Sequence, residues 1–198
     1  MNSLGSSSDC VGALFGEPDA VCLRCMPLGF ATFSATRIRR VLKTGEDFGV
    51  TIPAQDSYFL MLYLSDTVIC DVATDGSRSH SRHFRRGSIC LINLRCGARI
   101  SVHMSLDAVA FVIPYVLIDE LAALSTPGSH VELRCLRGKP DPVLANLGTA
   151  LLPMFLQDPQ AVDAMLRHLA MAICAHVLHH YRRSPLSSGR GRDEPFLH

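Results

Sequence analysis

The sequence predicts an α+β fold in which a β-barrel or sandwich comes first and helices follow. Three observations carry this. Between residues 28 and 113, short apolar or alternating runs recur at spacings of about 8–12 residues, the pattern of a sandwich or barrel. After Pro114 the apolar period lengthens to i, i+3, i+4, which belongs to helices. Two Asp-Pro pairs, Asp141-Pro142 and Asp158-Pro159, then supply the cap and the first-turn residue of two helices. Strands and helices are segregated along the chain, so the order is α+β and not alternating β and α units.

The elements follow in order. Residues 1–26, rich in Ser, Gly and Asp and without periodicity, read as a loose, flexible N-terminal arm. "FATFSATRIRRVL" mixes aromatic and Thr residues with alternating Ile and Arg, as a strand does. "YFLMLYL" (58–64) is apolar throughout, as a strand buried on both faces requires. "TVICDVA" runs into Asp75-Gly76, a hairpin pair that tolerates positive φ. "RRGSICLINL" places Gly87 just before a strand. "ARISVHM" sets Ile100 and Val102 against Arg99, Ser101 and His103, and "AVAFVI" (108–113) is wholly apolar. "PYVLIDELAAL" (114–124) fits a short helix opened by Pro114, and "VELRCL" (131–136) a returning strand. "VLANLGTALLPMFL" follows the first Asp-Pro pair and "QAVDAMLRHLAMAICAHVLHHYRR" the second. In this last helix Val162, Met165, Leu166, Leu169, Ile173, His176, Val177 and His180 share one face. At about 1.5 Å per residue it extends roughly 36 Å, enough to pack partly on the barrel and partly on a partner. The expected division is therefore an arm (1–26), a β-barrel (27–137), a helical region (138–183) and a linker-like tail (184–198).

A chain of 198 residues suggests one domain, and 48% apolar residues supply its core. Charged residues make up 19%, below the roughly 25% of an average globular chain. A dimer face, a missing polar partner or a merely apolar sequence would each account for that. The net charge of +1 offers no general field for nucleic acid. Positive charge is local: Arg37, Arg39, Arg40 and Lys43; Arg78, Arg82, Arg85 and Arg86; Arg182, Arg183, Arg190 and Arg192. No direct nucleic-acid contact by this chain is expected. The opening "MNSLGSSSDCVGALFGEPDA" lacks the basic start and apolar core of an export signal, so the eight cysteines are expected to be reduced, mostly buried, and the protein cytoplasmic. The longest strongly apolar run, 108–118, is too short to cross a bilayer and contains Pro114, so no membrane partner is expected.

Candidate chemistry is sparse. A strand-borne metal site needs histidines on one face and a carboxylate nearby. His80 and His83 face opposite ways on a strand, and His103 has no carboxylate near it in sequence. Cys22-Leu23-Arg24-Cys25 has no second Cys or His pair to complete a zinc site. His176, His179 and His180 complement the end of a helix as well as they would ligate a metal. No nucleophile elbow is present, and a Gly-rich phosphate loop preceded by a strand is also missing. No metal, cofactor or catalytic residue is therefore expected, and the chain is not read as an enzyme. What remains is a barrel interior able to hold a small ligand among inward-facing polar groups. Arg39, Tyr58, Tyr63, Asn93 and His103 are the candidates, with Arg39 suited to a carboxylate.

The ordered set "GFATFSATRIRRV", "DSYFLMLYLSDTVICDVATDG", "FRRGSICLINLRCGARISVHMSLDAVAFVIPYVLIDELAAL" and "HLAMAICAHVLHHY" resembles the N-terminal sensing and dimerisation domain of AraC/XylS-type transcriptional regulators. The likeness runs from about residue 28 to 185. It departs at "LSDTV", where relatives often carry Gly, and at "INLRCG", where Pro is common. It implies a cupin-like β-barrel or jelly roll that senses a small-molecule effector, and a helical face that dimerises. Val162, Leu166, Leu169, Ile173 and Val177 are the expected interface, in a homodimer or a heterodimer with a full-length relative. It also implies a DNA-binding half of two helix-turn-helix units beyond a linker. "RRSPLSSGRGRDEPFLH" cannot form those units, so this chain is expected to be the sensor half alone, a truncated product or a stand-alone sensor. A cupin-type metalloenzyme is the alternative, and it predicts bound metal.

Overall fold

The computed structural model describes residues 10–125 and 131–183. Residues 1–9 of the expected arm and the linker-like tail, 184–198, lie outside the described residues. Among the described residues the chain forms ten strands: β1 Cys22–Cys25, β2 Phe33–Arg40, β3 Phe48–Ile52, β4 Ser57–Tyr63, β5 Thr67–Asp71, β6 Arg82–Phe84, β7 Ser88–Asn93, β8 Ala98–Val102, β9 Leu106–Pro114 and β10 Leu136–Pro140. Three α-helices follow or interleave: α1 Tyr115–Ala123, α2 Pro142–Leu151 and α3 Pro159–Tyr181. The larger sheet runs β1-β2-β9-β4-β7-β10 and the smaller β3-β8-β5-β6, all neighbours antiparallel.

β4 shows why the layers form. Every one of its residues is buried. Tyr58, Leu60 and Leu62 join a core beneath the helices, whereas Phe59, Met61 and Tyr63 join a second core between the sheets. A strand paired on both edges and covered on both faces needs a continuous apolar run. Its partners are fixed by register: Leu60 lies opposite Leu91 of β7 and Phe111 of β9. The helices are placed by their caps. Asp141 accepts from the Leu144 N–H at 3.0 Å to open α2, and Asp158 accepts from the Gln160 N–H at 2.8 Å to open α3. α2 lies so close to β4 that a Cβ on Gly148 would stand 2.2 Å from Leu62 Cδ2. The Asp75-Gly76 turn forms as expected, with Gly76 at φ 84° and Asp75 Oδ1 accepting from the Ser77 N–H.

Five expectations change. The sheets do not close into a barrel: among the described residues no strand pairing joins their edges, and they make an open sandwich. β1 is only four residues long, and β10 shifts register between Arg137 and Lys139 around Gly138 and ends in Pro140. Residues 10–25 are not a loose arm. A 3-10 turn, Gly12–Phe15, buries Phe15 against Phe59, β1 pairs with β2, and Cys10 is disulfide-bonded to Cys22. That bond also corrects the reading of all eight cysteines as reduced. The returning strand is not 131–136 but β10, because Leu136 and the residues after it take the register opposite Leu91 to Ser88 of β7. Finally, Val162, Leu166, Ile173 and Val177 are not a free dimer face. They are buried in the core beneath the helices, and Leu169 packs against the same core. The i, i+3, i+4 stripe is satisfied by the protein's own sheet. By length and composition α3 would pass as a membrane span, yet this stripe is already covered. Its outward face carries Ala161, Ala164, Met165, His168, Ala172 and Ala175.

Candidate functional site

Alternation along the strands decides which side chains meet between the sheets. Met61 and Tyr63 of β4, Ile69 and Asp71 of β5, Cys90 and Ile92 of β7 and Phe84 of β6 all point inward there. With Arg137 of β10 they line a small cavity of about 20 Å³, room for about one water molecule. Its walls are apolar (Phe59, Met61, Ile69, Phe84, Ile92), and its polar groups gather at one end.

That end is built around Arg137. Its guanidinium meets Asp71 from the opposite sheet, Nη2 to Oδ1 at 3.1 Å and Nε to Oδ2 at 3.4 Å, a two-pronged contact that ties β10 to β5. Nη1 also donates to Cys90 Sγ at 3.1 Å. Burial opposes the charged guanidinium, but the Cys90 sulfur and the Asp71 carboxylate outweigh it, and the Arg137 pKa is raised. Burial pushes the Cys90 thiol up, so it stays a neutral acceptor. Burial also drives Tyr63 well above the usual phenol value. Its ring lies against Phe84, centroids 4.7 Å apart, and among the described residues its hydroxyl has no hydrogen-bond partner. The arrangement offers a compact apolar slot, a neutral phenol able to donate or accept, and an ion pair at the mouth that a ligand would have to keep or displace.

Of the five residues expected to bind a ligand, only Tyr63 lines this cavity. Arg39 is exposed and shares the helix-side parity of Phe33 and Ala35, so it points away from the space between the sheets. Tyr58 is on the helix side too. Its hydroxyl accepts from the Leu133 N–H at 3.0 Å, and its ring stands edge-on to Tyr115. Asn93 lies opposite Tyr58, and its side-chain oxygen accepts from the Tyr115 hydroxyl and the Arg95 N–H. His103 sits beyond the end of β8, on the smaller sheet. Its Nδ1 is 2.6 Å from Asp47, a carboxylate distant in sequence and brought in by the pairing of β3 with β8.

Asp71, Cys90 and Arg137 were missed. Their signal in the sequence was weak: a strand-ending Asp, an inward-parity Cys, and an Arg just before a glycine. A second buried network lies at the end of α3. Asp141, 4% exposed, accepts from the Tyr181 hydroxyl at 2.5 Å and lies 2.9 Å from His176 Nε2. His180 stacks on His176. Cys25, the second member of the CxxC, is buried, and that burial, reinforced by Asp163, pushes its thiol up to about 12. Among the described residues no group of three or more His, Cys, Asp or Glu side chains is arranged to hold a metal.

No family model matches the chain, and no curated protein matches it. Among solved structures it is similar to apo ToxT from Vibrio cholerae strain SCE256, with a TM-score of 0.51 and 12% identity, over 74% of this chain and 56% of that one. ToxT is a regulator of the AraC family, and this chain spans little more than half its length. At 12% identity the likeness speaks for the fold alone. Oxalate decarboxylase from Bacillus subtilis at pH 4.6 is a more distant likeness, with a TM-score of 0.31 and 10% identity over 50% of this chain and 29% of that one, and it carries no argument.

Proposed function

We propose that this chain is the effector-sensing and dimerising part of an AraC-type transcription regulator, and not an enzyme. DNA contact would come from a helix-turn-helix half carried elsewhere or by a partner. The observation that carries the reading is the fold: two facing sheets with a helical layer on the larger one, shared with ToxT over 74% of the chain. The cavity around Tyr63, Asp71 and Arg137 is the proposed effector site, and it must widen from its present volume of about 20 Å³ to admit one. An effector there would act on β10, which leads directly into Asp141 and through it to the end of α3.

The partner surface in this proposal is the outward face of α3, centred on Met165, which is 62% exposed. Its alanines let a second helix approach closely. Light scattering on the purified chain at micromolar concentration tests this. A dimer that Met165→Glu converts to a folded monomer supports the reading, and a monomer throughout sinks it. A cytoplasmic location belongs to the same proposal, but disulfides are uncommon there. Counting by mass the cysteines alkylated when thiols are blocked at lysis under denaturing conditions decides: eight fit a reducing compartment, and six fit the Cys10–Cys22 bond.

A further inference from the structure

On the smaller sheet, away from the cavity, three side chains fall into line. Cys70 Sγ of β5 is 3.2 Å from His103 Nε2, and His103 Nδ1 is 2.6 Å from Asp47 Oδ1. Asp47 in turn is held by Arg78, Nη1 to Oδ2 at 2.8 Å. Hydrogen bonds from Arg78, then from His103, hold the Asp47 carboxyl below the usual carboxylate range. An ionised carboxylate only accepts, so Nδ1 carries the ring proton, and Nε2 presents its lone pair to the thiol. This is the arrangement of a nucleophile, a base and the group that orients the base.

A second observation points to a reaction at the sulfur. Ser101 of β8 lies directly opposite Cys70 in the register, and directly opposed residues share a face of the sheet. Ser101 is 2% exposed, and among the described residues its Oγ has no hydrogen-bond partner. A buried hydroxyl with nothing to bond costs about 1–3 kcal/mol unless a group arrives to meet it. Cys70 itself is 3% exposed, whereas the His103 side chain is 20% exposed. The sulfur is nearly closed to solvent and its imidazole partner is less so, which favours a small reagent over a bulky one.

We propose that Cys70 is a built modification site at which a small hydroperoxide oxidises the thiol, with His103 as base, Asp47 as its positioning residue and Ser101 as donor to the new oxygen. The sulfur attacks one peroxide oxygen. An S–O bond forms as the O–O bond breaks. The thiol proton passes to His103 Nε2 and on to the departing oxygen, which leaves as water from hydrogen peroxide or as an alcohol from an alkyl hydroperoxide. Sulfur is oxidised by two electrons to sulfenic acid, and the peroxide is reduced by two. The Ser101 hydroxyl then bonds the sulfenic oxygen.

The test treats the purified full chain with hydrogen peroxide for set times, removes the peroxide with catalase, traps sulfenic acid with dimedone as the chain is unfolded in denaturant, and reads each cysteine by peptide mass spectrometry. Exposed Cys96 is the internal standard, and buried Cys174 is the control for a thiol without a base. Cys70 is expected to be trapped at least tenfold faster than Cys174. His103→Gln is expected to slow Cys70 at least tenfold and leave Cys96 unchanged. Asp47→Asn should slow it several-fold and Asp47→Glu should restore it, which a merely structural role for this exposed residue would not produce. Ser101→Ala should shorten the lifetime of the sulfenic acid before trapping. Trapping of Cys70 no faster than Cys174, or a rate indifferent to both His103→Gln and Asp47→Asn in variants with unchanged circular dichroism, overturns the proposal.

Discussion

Asp141 serves three donors at once: the Leu144 N–H, the Tyr181 hydroxyl and the His176 ring. Burial works against its charge, but the hydrogen bonds outweigh burial and hold the carboxyl below the ordinary value near 3.8. The unfolded chain therefore binds the proton more readily, and stability rises with pH across this window. The contribution of Asp141 is fully present above about pH 4 and is lost as pH falls through its depressed folded value. Urea denaturation from pH 6 down to pH 3 should show that loss in the wild type and less of it in Asp141→Asn. At pH 7, Asp141→Ala should cost about 3 kcal/mol, a helix cap plus buried charged hydrogen bonds. Tyr63→Phe should behave oppositely. Its hydroxyl has no partner to lose, so stability should change by no more than about 0.5 kcal/mol, while any ligand that bonds that hydroxyl binds more weakly in calorimetry. The Asp141 cap was legible from the Asp-Pro pair. Its bonds to His176 and Tyr181 were not, because no local pattern reports a contact made across the fold. Arg137, Asp71 and Cys90 were hidden for the same reason, and so was the carboxylate beside His103, since Asp47 is distant in sequence and is placed by the pairing of β3, which it immediately precedes, with β8.

At the scale of elements, α2 and α3 make separate tests of packing. Gly148→Ala adds about 1 kcal/mol of helix propensity, but its Cβ meets Leu62 of the fully buried β4. Overpacking of this kind costs about 1–3 kcal/mol, so the variant should be less stable than wild type in denaturant. Leu62→Val in the same chain should recover part of the loss, a coupling that a double-mutant cycle measures. On α3, Ile173→Asp buries an unpaired charge and should cost more than about 3 kcal/mol, whereas Met165→Gln, on the face proposed to meet a partner, should change the stability of the monomer alone by no more than about 0.5 kcal/mol. Strands β2, β4, β5, β7, β8 and β9 and all three α-helices were readable from period and caps. β1 and β3 were not, since Cys22–Cys25 and Phe48–Ile52 are short and lie among Gly, Pro and charged residues that read as loop. Most of the apolar stripe of α3 was legible, but Met165 and His180, which the period places on it, are exposed, and a period does not reveal which neighbour a stripe packs on.

For the molecule as a whole, the segregated α+β order was evident in the sequence, while the number of sheets and their open edges were not, because closure depends on strand lengths and register. The Cys10–Cys22 bond closes a short loop, with a sequence separation of 12, and pins β1 beside the 3-10 turn. Reduction, or Cys22→Ser, should lower unfolding stability by about 2–3 kcal/mol, read in denaturant with and without a thiol reductant. Strand order carries a further consequence, in time. β2 has β9 as its partner, and residues 41–105 must be made between them. While the chain is being synthesised, β1 and β2 leave the ribosome as a lone hairpin whose inner edge stays open until β9 appears. Long-range pairing of this sort makes folding slow, and an open edge is where chains join one another. A nascent chain stalled before Leu106 is therefore the species in which the edge of β2 lies open to pairing with another chain.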